Sequence, residues 1–263
     1  MFIAEEKEQK LLKELKAYKA VAVAYSGGVD STYLSDCAND VLGEKALIVI
    51  ADSPSIPRNE LKEAINLSNN RGWNLLTIKT NEYKNKEYLA NKGMRCFHCK
   101  NTLFKTIANV ISQKEDTKIL YGAVEDDKKD NRPGVKAAEK YGVLAPLQNV
   151  GLFKSEIRIL SEKRKLPTAS KASFACLGSR FPTGMKIDLE KMSQVEKAEE
   201  ELRIRGYHQY RIRHHDNICR IEIMPEDFEK IIKEKDELIK VFKKIGYRFI
   251  TLDLSGFSSG STA

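Results

Sequence analysis

The chain has 263 residues, with 45 Lys or Arg and 37 Asp or Glu, which gives a formal net charge of +8. Hydrophobic residues make up 41% of the chain, which is enough for a sizeable core and excludes a disordered protein. The sequence has no apolar run of membrane-spanning length and no signal-peptide pattern, which predicts a cytoplasmic protein. The basic excess suits an anionic partner such as a nucleotide, a phosphorylated metabolite or RNA, and equally an ordinary Lys-rich surface.

Helical and strand-like patterns alternate over the first two thirds of the chain. An amphipathic helix is predicted over 5–18 and a buried apolar strand over 20–25. Further helices are predicted over 31–41, 57–71, 98–112 and 154–165, and further strands over 46–51, 74–78 and 118–121. This alternation predicts an α/β domain over residues 1–185, in which helices flank a parallel sheet.

The pattern changes after about residue 185. A helix over 188–206, two strands over 208–214 and 217–224, one helix over 225–245 and a strand over 247–252 are predicted there. Residues 186–263 are therefore predicted to form a smaller C-terminal α+β domain for substrate binding or oligomerisation, and we expect a homo-oligomer. The Gly/Ser-rich tail over 255–263 is interpreted as a flexible end or a loop that closes over a ligand.

The most informative segment is YSGGVDST at 25–32, between a predicted strand and a predicted helix. Gly27 and Gly28 allow a tight turn and a close approach of the backbone to a ligand. Free N–H groups at the helix start favour an anion, and three hydroxyls add to them: Ser26, Ser31 and Thr32. The segment lacks the Lys of the GxxxxGK[ST] loop and does not match GxGxxG.

This segment resembles the SGGxDS signature of the PP-loop ATP pyrophosphatases. The resemblance implies that the loop binds the pyrophosphate of ATP, that ATP is cleaved between its α and β phosphates, and that a substrate oxygen is adenylated. It also implies that Asp30 helps to hold Mg²⁺. The ends of two later strands resemble the parts of this fold that frame the adenine and ribose, and the residues concerned are Ala51, Asp52, Ser53 and Gly122.

The chain has five cysteines, an odd number that disfavours a disulfide framework. Cys96 and Cys99 form a CxxC, which alone is compatible with a redox pair, half a zinc site or two iron ligands. Cys176 lies in a Ser/Gly/basic loop, whereas Cys37 and Cys219 are interpreted as small apolar core residues. Three thiolates can hold a [4Fe–4S] cluster and leave one iron open to an exogenous ligand such as hydrosulfide.

Several further segments are similar to the LarE family, in the right order and over most of the chain. They are NRPG at 131–134, SFACLGSRFPTG at 173–184, YRIRHHDNICRIE at 210–222 and ITLDLSGF at 250–257. LarE proteins are ATP-dependent sulfur transferases that build the thiocarboxylates of the nickel-pincer nucleotide cofactor of lactate racemase, from pyridinium-3,5-biscarboxylic acid mononucleotide. Some members sacrifice one cysteine, and others use a cluster. The pattern of Cys96, Cys99 and Cys176 favours the cluster route, with sulfide or a cysteine desulfurase as the sulfur donor.

Candidate substrate residues lie in the C-terminal part. Arg211 and Arg213 are two apart on a predicted strand, so both side chains face the same side and suit a phosphate or carboxylate. The resemblance implies that they hold the substrate phosphate, with Glu199 nearby, and that Arg180 lies near the pyrophosphate. The family often has Arg after the Gly-Phe of its tail, and Ser258 stands there in this chain.

Three other functions share some of these features. A tRNA thiolase could use the same cluster chemistry, but such enzymes commonly add zinc-binding cysteine modules or an RNA-binding domain. An iron–sulfur sensor could keep the nucleotide fold as a scaffold, which would not need the hydroxyls or the carboxylate of the glycine turn. An ATP-dependent amide synthetase would leave Cys96 and Cys99 unexplained.

Overall fold

The computed structural model describes residues 2–129, 133–172 and 175–258. The described residues fall into two compact units. The first unit takes its residues from Met1–Ser53, Arg58–Glu82 and Cys96–Phe174, and the second from Pro54–Pro57, Tyr83–Arg95 and Ala175–Ala263. Two short stretches of the N-terminal half therefore belong to the second unit, and the domain boundary after residue 185 stays a prediction.

Helices and strands of the described residues are numbered in chain order. The α-helices are α1 Phe2–Lys16, α2 Val29–Leu42, α3 Arg58–Asn70, α4 Lys86–Ala90, α5 Arg95–Val110, α6 Pro133–Lys140, α7 Pro146–Asn149, α8 Lys154–Lys163, α9 Leu189–Ile204, α10 Phe228–Lys233 and α11 Lys235–Ile245. The strands are β1 Ala20–Tyr25, β2 Ala46–Asp52, β3 Asn74–Lys79, β4 Thr117–Tyr121, β5 Tyr210–His215, β6 Ile218–Ile223 and β7 Phe249–Leu252.

The first unit contains a four-stranded parallel sheet in the order β3-β2-β1-β4. On one face, Ala22 and Val49 share a buried cluster with Phe104 and Ile107 of α5. Neighbouring residues of a strand point to opposite faces, and Val23 is also fully buried, so the second face is covered as well. The predicted α/β fold with helices flanking a parallel sheet is confirmed.

The order of the strands creates a switch point beside β1. The chain runs from β1 through β2 to β3 on one side, whereas β4 pairs with the other side of β1, with Ala24 beside Tyr121. Ligands of open α/β sheets lie outside the carboxyl ends of the strands at such a point. The segment after β1 is the glycine turn, and the residue after β4 is Gly122.

The second unit contains a three-stranded sheet in the order β5-β6-β7, in which β5 and β6 are antiparallel and β6 and β7 are parallel. Its core joins Val195 of α9, Ile212 of β5, Ile221 of β6 and Phe242 of α11. The predicted small α+β arrangement is confirmed.

The predicted single helix over 225–245 is wrong in detail. The structure has a 3-10 turn at Pro225–Asp227, followed by α10 and α11, with an interruption at Glu234. The ψ angle of Glu234 is 1°, far from the value of about −42° in an α-helix. The Glu234 carboxylate accepts a hydrogen bond from Tyr207 Oη at 3.2 Å, so the residue at the interruption is bonded to a residue outside both helices.

Three short helices, α4, α6 and α7, were not predicted, because each is eight residues or fewer and shows little periodicity. None of the described helices combines the length and the hydropathy that crossing a bilayer requires.

Candidate active site

Of the two glycines in the turn after β1, Gly27 is the one that the backbone geometry requires. Gly27 has a φ of +74°, and a Cβ there would lie 2.8 Å from the Cβ of Ala64 on α3. Gly28 is the N-cap of α2 with an ordinary extended backbone, and a Cβ there would meet only Ser26 Oγ, at 3.5 Å. Gly27 is therefore required by the turn itself, whereas Gly28 leaves space above the helix start.

Two hydroxyls close the turn. Ser31 Oγ accepts from the backbone N–H of Ser26 at 3.1 Å, lies 3.0 Å from Ser26 Oγ and donates to the carbonyl of Gly28 at 3.2 Å. The Thr32 hydroxyl is fully buried and has no hydrogen-bond partner among the described residues. Ser26 and Ser31 therefore shape the loop that was predicted to bind an anion.

Gly122 lies directly against the start of α2. A Cβ at Gly122 would be 2.9 Å from the backbone nitrogen of Ser31 and 3.1 Å from its Cα. Any larger residue would push the helix start away from the end of β4. The structure thus brings Gly122 together with the glycine turn, and its role beside the adenine and ribose stays a prediction.

Asp30 is a largely buried carboxylate beside one cation. Its Oδ2 lies 3.3 Å from Lys154 Nζ at the start of α8, and its Oδ1 is buried with no hydrogen-bond partner among the described residues. Burial raises the pKa of Asp30, and Lys154 opposes that shift. A carboxylate oxygen of this kind suits Mg²⁺. Sequence reasoning missed Lys154, whose one signal was its place at the start of a predicted helix.

The end of β2 already has partners within the protein. Asp52 pairs with Arg58 at 2.5 Å, and the buried Ser53 hydroxyl donates to Glu82. Arg58 also donates to the carbonyl of Ser53, whereas Ala51 is half-buried. These residues lie at the carboxyl end of the strand next to β1, and Arg58 and Glu82 are additions that the sequence did not suggest.

The CxxC lies in the first turn of α5. Cys96 is exposed and Cys99 is half-buried, and neither is part of a disulfide. Residues three apart on a helix lie on the same face, so the pair can serve one ligand. Cys37 and Cys219 are fully buried, which confirms their interpretation as core residues, and burial raises the pKa of the Cys37 thiol to about 12.

The third predicted ligand, Cys176, is a half-buried thiol in the second unit, at the N-cap of a 3-10 turn over Leu177–Arg180. Within the described ranges, no three His, Cys, Asp or Glu side chains form a group that could hold a metal ion. The donor chemistry of the three thiols suits iron.

Arg180 is fully buried and clamped by Glu199. Its Nε and Nη2 donate to the two carboxylate oxygens of Glu199 at 2.8 and 2.9 Å. Its Nη1 donates to the carbonyls of Ala175 at 2.5 Å and Cys176 at 3.2 Å. The structure therefore brings Arg180 and Glu199 together, and their contacts with pyrophosphate and substrate stay predictions.

Arg211 and Arg213 lie on β5 in different surroundings. Arg213 is buried and binds both carboxylate oxygens of Glu222, at 3.0 and 2.9 Å. Arg211 donates to the carbonyl of Tyr210 at 2.7 Å, and its guanidinium carbon lies 5.1 Å from the centre of the Phe257 ring. Burial, together with the nearby Arg180, lowers the pKa of Arg211 to about 10. Sequence reasoning missed Glu222, although it alternates with apolar residues on β6.

Parts of three sequence segments lie outside the described residues. Residues 131 and 132 of NRPG, residues 173 and 174 of the cysteine segment, and the tail over 259–263 belong to this group.

Comparisons with known proteins agree with the motifs. No family model matches the chain. The chain is 38% identical over 240 residues to an uncharacterized protein of Synechocystis sp., with 90% of each chain covered. It is 30% identical over 256 residues to pyridinium-3,5-bisthiocarboxylic acid mononucleotide synthase of Lactiplantibacillus plantarum, with 97% of this chain and 92% of that protein covered.

A more distant relative supports the nucleotide-binding fold. The chain is 25% identical over 205 residues to one of the subunits of the glutamine-hydrolyzing GMP synthase of Saccharolobus solfataricus, with 71% of this chain covered. The match spans 55% of that relative. The similarity fits the PP-loop fold that the glycine turn and the parallel sheet indicate.

Proposed function

The chain belongs to the LarE family, and we propose that it is an ATP-dependent sulfur transferase that converts a carboxylate of a nucleotide-like substrate into a thiocarboxylate. The proposed substrate is pyridinium-3,5-biscarboxylic acid mononucleotide, because the Lactiplantibacillus plantarum relative is named for the corresponding bisthiocarboxylic acid. The product would serve the biosynthesis of the nickel-pincer nucleotide cofactor.

The observation that carries the proposal is the glycine turn with its buried carboxylate. Asp30 Oδ1 has no hydrogen-bond partner among the described residues. It lies at the start of α2, where neighbouring atoms leave no room for a Cβ at Gly27 or Gly122. Backbone N–H groups of α2 and the positive end of its dipole favour pyrophosphate at this place. Mg²⁺ held with the help of Asp30 would balance the phosphate charge, and Lys154 would add a second positive charge.

The first step is adenylation of the substrate. A carboxylate oxygen attacks the α phosphorus of ATP, the bond from that phosphorus to the bridging oxygen breaks, and pyrophosphate leaves with the bond electrons. The turn over 26–32 would hold the pyrophosphate. The ends of β2 and β4, with Ala51, Asp52, Ser53 and Gly122, would frame the adenine and ribose. The product is a mixed anhydride of the carboxylic acid and AMP.

The second step replaces the oxygen of the anhydride by sulfur. A sulfur nucleophile attacks the activated carbon, the bond from that carbon to the AMP oxygen breaks, and AMP leaves. Cys96, Cys99 and Cys176 would hold a [4Fe–4S] cluster, which would supply an open iron position for inorganic sulfur. The alternative within the same family is that Cys176 itself gives up its sulfur.

Chain connectivity supports a joint role for these cysteines. Arg95 directly precedes Cys96 in the sequence, and its Nη1 donates to the carbonyl of Gly178 at 2.7 Å. Gly178 is two residues after Cys176.

The substrate phosphate would bind at β5. Burial lowers the pKa of Arg211, the nearby Arg180 lowers it further, and an anion would relieve the repulsion between the two guanidinium groups. Arg213 lies on the same strand, and its contact with the phosphate would require its pair with Glu222 to open. Arg180 and Glu199 are bonded to each other in the structure, so direct contacts with pyrophosphate or substrate would require that pair to open.

The adenylation step is tested by pyrophosphate release under anaerobic conditions. We expect release that requires both ATP and the biscarboxylic mononucleotide, and a loss of about 100-fold or more in Asp30→Asn, because the phosphate charge loses its metal ligand. Asp40→Asn is the matched control on the same helix, since Asp40 is half-exposed and pairs with Arg164. Release that depends on tRNA instead of the mononucleotide would identify a tRNA thiolase.

The sulfur step is tested by separate Cys→Ser changes at residues 96, 99 and 176, with thiocarboxylate formation followed by mass spectrometry. Each variant should lose multiple turnovers, whereas Cys37→Ala in the core should retain them. Three variants that all keep multiple turnovers would refute the ligand assignment. Reconstitution with iron and sulfide should give cluster absorbance, and tight zinc binding without that absorbance would contradict the cluster.

The remaining proposals concern partners and location. We expect sulfide or a cysteine desulfurase to supply sulfur, a homo-oligomer in solution and a cytoplasmic location. Light scattering of the purified protein measures the oligomeric state directly.

A further inference from the structure

The backbone around Cys176 is held by an unusual number of arginine side chains. Within residues 175–179, four carbonyls accept hydrogen bonds from guanidinium groups. Arg180 binds the carbonyls of Ala175 and Cys176, Arg95 binds that of Gly178 at 2.7 Å, and Arg213 binds that of Ser179 at 3.1 Å. We call residues 175–179 the Cys176 loop.

Each of these arginines is itself fixed by a second partner. Glu199 clamps Arg180 and Glu222 clamps Arg213, in both cases through two parallel hydrogen bonds. The side chain of Asn91 accepts from Arg95 at 2.7 Å. A bidentate pair fixes the plane of the guanidinium as well as its position, so the donors are held in fixed directions.

Apart from the arginines, the loop is held by the Leu177 N–H, which donates to the Ser55 carbonyl at 2.8 Å, and by the N–H and hydroxyl of Ser179, which donate to the Cys176 carbonyl at 2.9 and 2.8 Å. It is short, contains Gly178 and has few apolar side chains besides Leu177, which is buried. Gly178 also lies close to Tyr88 and Arg95. A Cβ at residue 178 would be 3.0 Å from Tyr88 Oη and 3.2 Å from Arg95 Cδ. Hydrogen bonds from charged donors therefore add to these contacts and fix the directions of the loop carbonyls.

From this arrangement we infer that Arg180, together with Glu199, is a positioning residue for Cys176, which acts by fixing the loop carbonyls and does not contact pyrophosphate or substrate. The inference rests on the proposed function insofar as Cys176 handles the sulfur. The thiol is half-buried, so it remains accessible while its backbone is held. A sulfur-bearing group needs this combination, because a small misplacement of a reacting atom slows the reaction strongly.

The test compares Arg180→Lys, Arg180→Met and Glu199→Gln with the unchanged chain. The first measurement is the rate of iodoacetamide labelling of each cysteine in the full chain before iron is added, resolved by peptide mass spectrometry. Labelling of Cys176 should rise about tenfold in Arg180→Met, because the loop loses two charge-assisted hydrogen bonds. Labelling of Cys96 and Cys99 should stay within about twofold, and Arg180→Lys should lie between the Met variant and the unchanged chain.

The second measurement separates positioning from contact. For a positioning residue, kcat for thiocarboxylate formation should fall about tenfold while KM for ATP and for the mononucleotide stays within about twofold. The matched control is Arg205→Lys, since Arg205 pairs with Glu201, Glu234 and Glu237 in the same unit and bonds none of the loop carbonyls among the described residues.

Two results would overturn the inference. One is unchanged Cys176 labelling in variants that keep the unfolding temperature of the unchanged chain. The other is a tenfold rise in KM for ATP or the mononucleotide, which would show direct contact. Glu199→Gln keeps size and one acceptor, so it remains informative if Arg180→Met does not fold. Failure of the proposed function would look different, since the unchanged chain would then release no pyrophosphate.

Discussion

The glycine turn at 25–32 and the Cys176 loop are both rich in Ser and Gly, but they are stabilised in opposite ways. The hydroxyl bonds of the turn join residues at most five positions apart, as in Ser26 and Ser31. Two of the arginine bonds of the Cys176 loop come from residues 34 and 83 positions away. The other two come from Arg180, four and five positions away, and Arg180 is itself clamped by Glu199, 19 positions further on. The comparison teaches that the conformation of the turn is encoded locally, whereas that of the loop depends on the second unit as a whole.

The largest expected effect tests the distant support of the loop. Glu199→Ala should lower the free energy of unfolding by about 3–5 kcal/mol, because it leaves the fully buried Arg180 without its counter-charge. Urea denaturation measures this. The control is the next residue, Glu200→Ala, which breaks an exposed pair with Arg203 and should cost less than about 1 kcal/mol. Equal costs for the two variants would contradict the comparison.

The next effect tests the local support of the turn. Gly27→Ala should cost roughly 2–4 kcal/mol, because alanine is strained at a positive φ and its Cβ would collide with Ala64. Gly28→Ala should change the stability little, since its Cβ makes an ordinary contact. The two variants are compared by urea denaturation in the absence of ATP. If Gly28→Ala were the more harmful, the described turn would be incorrect.

A smaller effect is expected at the hydroxyl that closes the turn. Ser31→Ala removes the acceptor of Ser26 N–H and the donor to the Gly28 carbonyl, which should cost about 1–2 kcal/mol. Calorimetry gives the change in unfolding temperature. Ser179→Ala in the Cys176 loop should cost less, because the arginines still hold that loop.

The smallest effect concerns the charge of Asp30. Burial raises its folded pKa above the ordinary value of 3.8, so the folded state binds more protons than the unfolded state above that pH. The stability of the unchanged chain should therefore fall as pH rises from about 4 through the raised pKa. In Asp30→Asn this decline should be smaller, and the variant should be as stable at pH 7 as the unchanged chain, or slightly more stable. Denaturation at several pH values without Mg²⁺ checks the sign.

The sequence predicted those features whose causes are local. The β1 strand and the glycine turn follow from an apolar run and from the two glycines after it. The clamps of Arg180 by Glu199 and of Arg213 by Glu222 could not be predicted in this way, because such pairs form only after distant segments pack. The sequence indicated guanidinium groups on one strand face, but not which of them would be neutralised.

The interruption at Glu234 has the same origin. No Pro or Gly marks it, and its contact with Tyr207 joins segments 27 positions apart. Lys154 is a further example, since its distance to Asp30 depends on how α8 packs in the first unit.

The second unit is assembled from three stretches of sequence, and this has a consequence for synthesis. Ser55 and Arg95 leave the ribosome well before the Cys176 loop does. In the native unit the Ser55 carbonyl accepts a hydrogen bond from the Leu177 N–H of that loop at 2.8 Å. At about 5–20 residues per second, the roughly 80 residues between Arg95 and Ala175 take about 4–16 s to translate. During that interval the early stretches lack the partners that residues 175–263 supply in the native unit, so the second unit can be completed only late in synthesis.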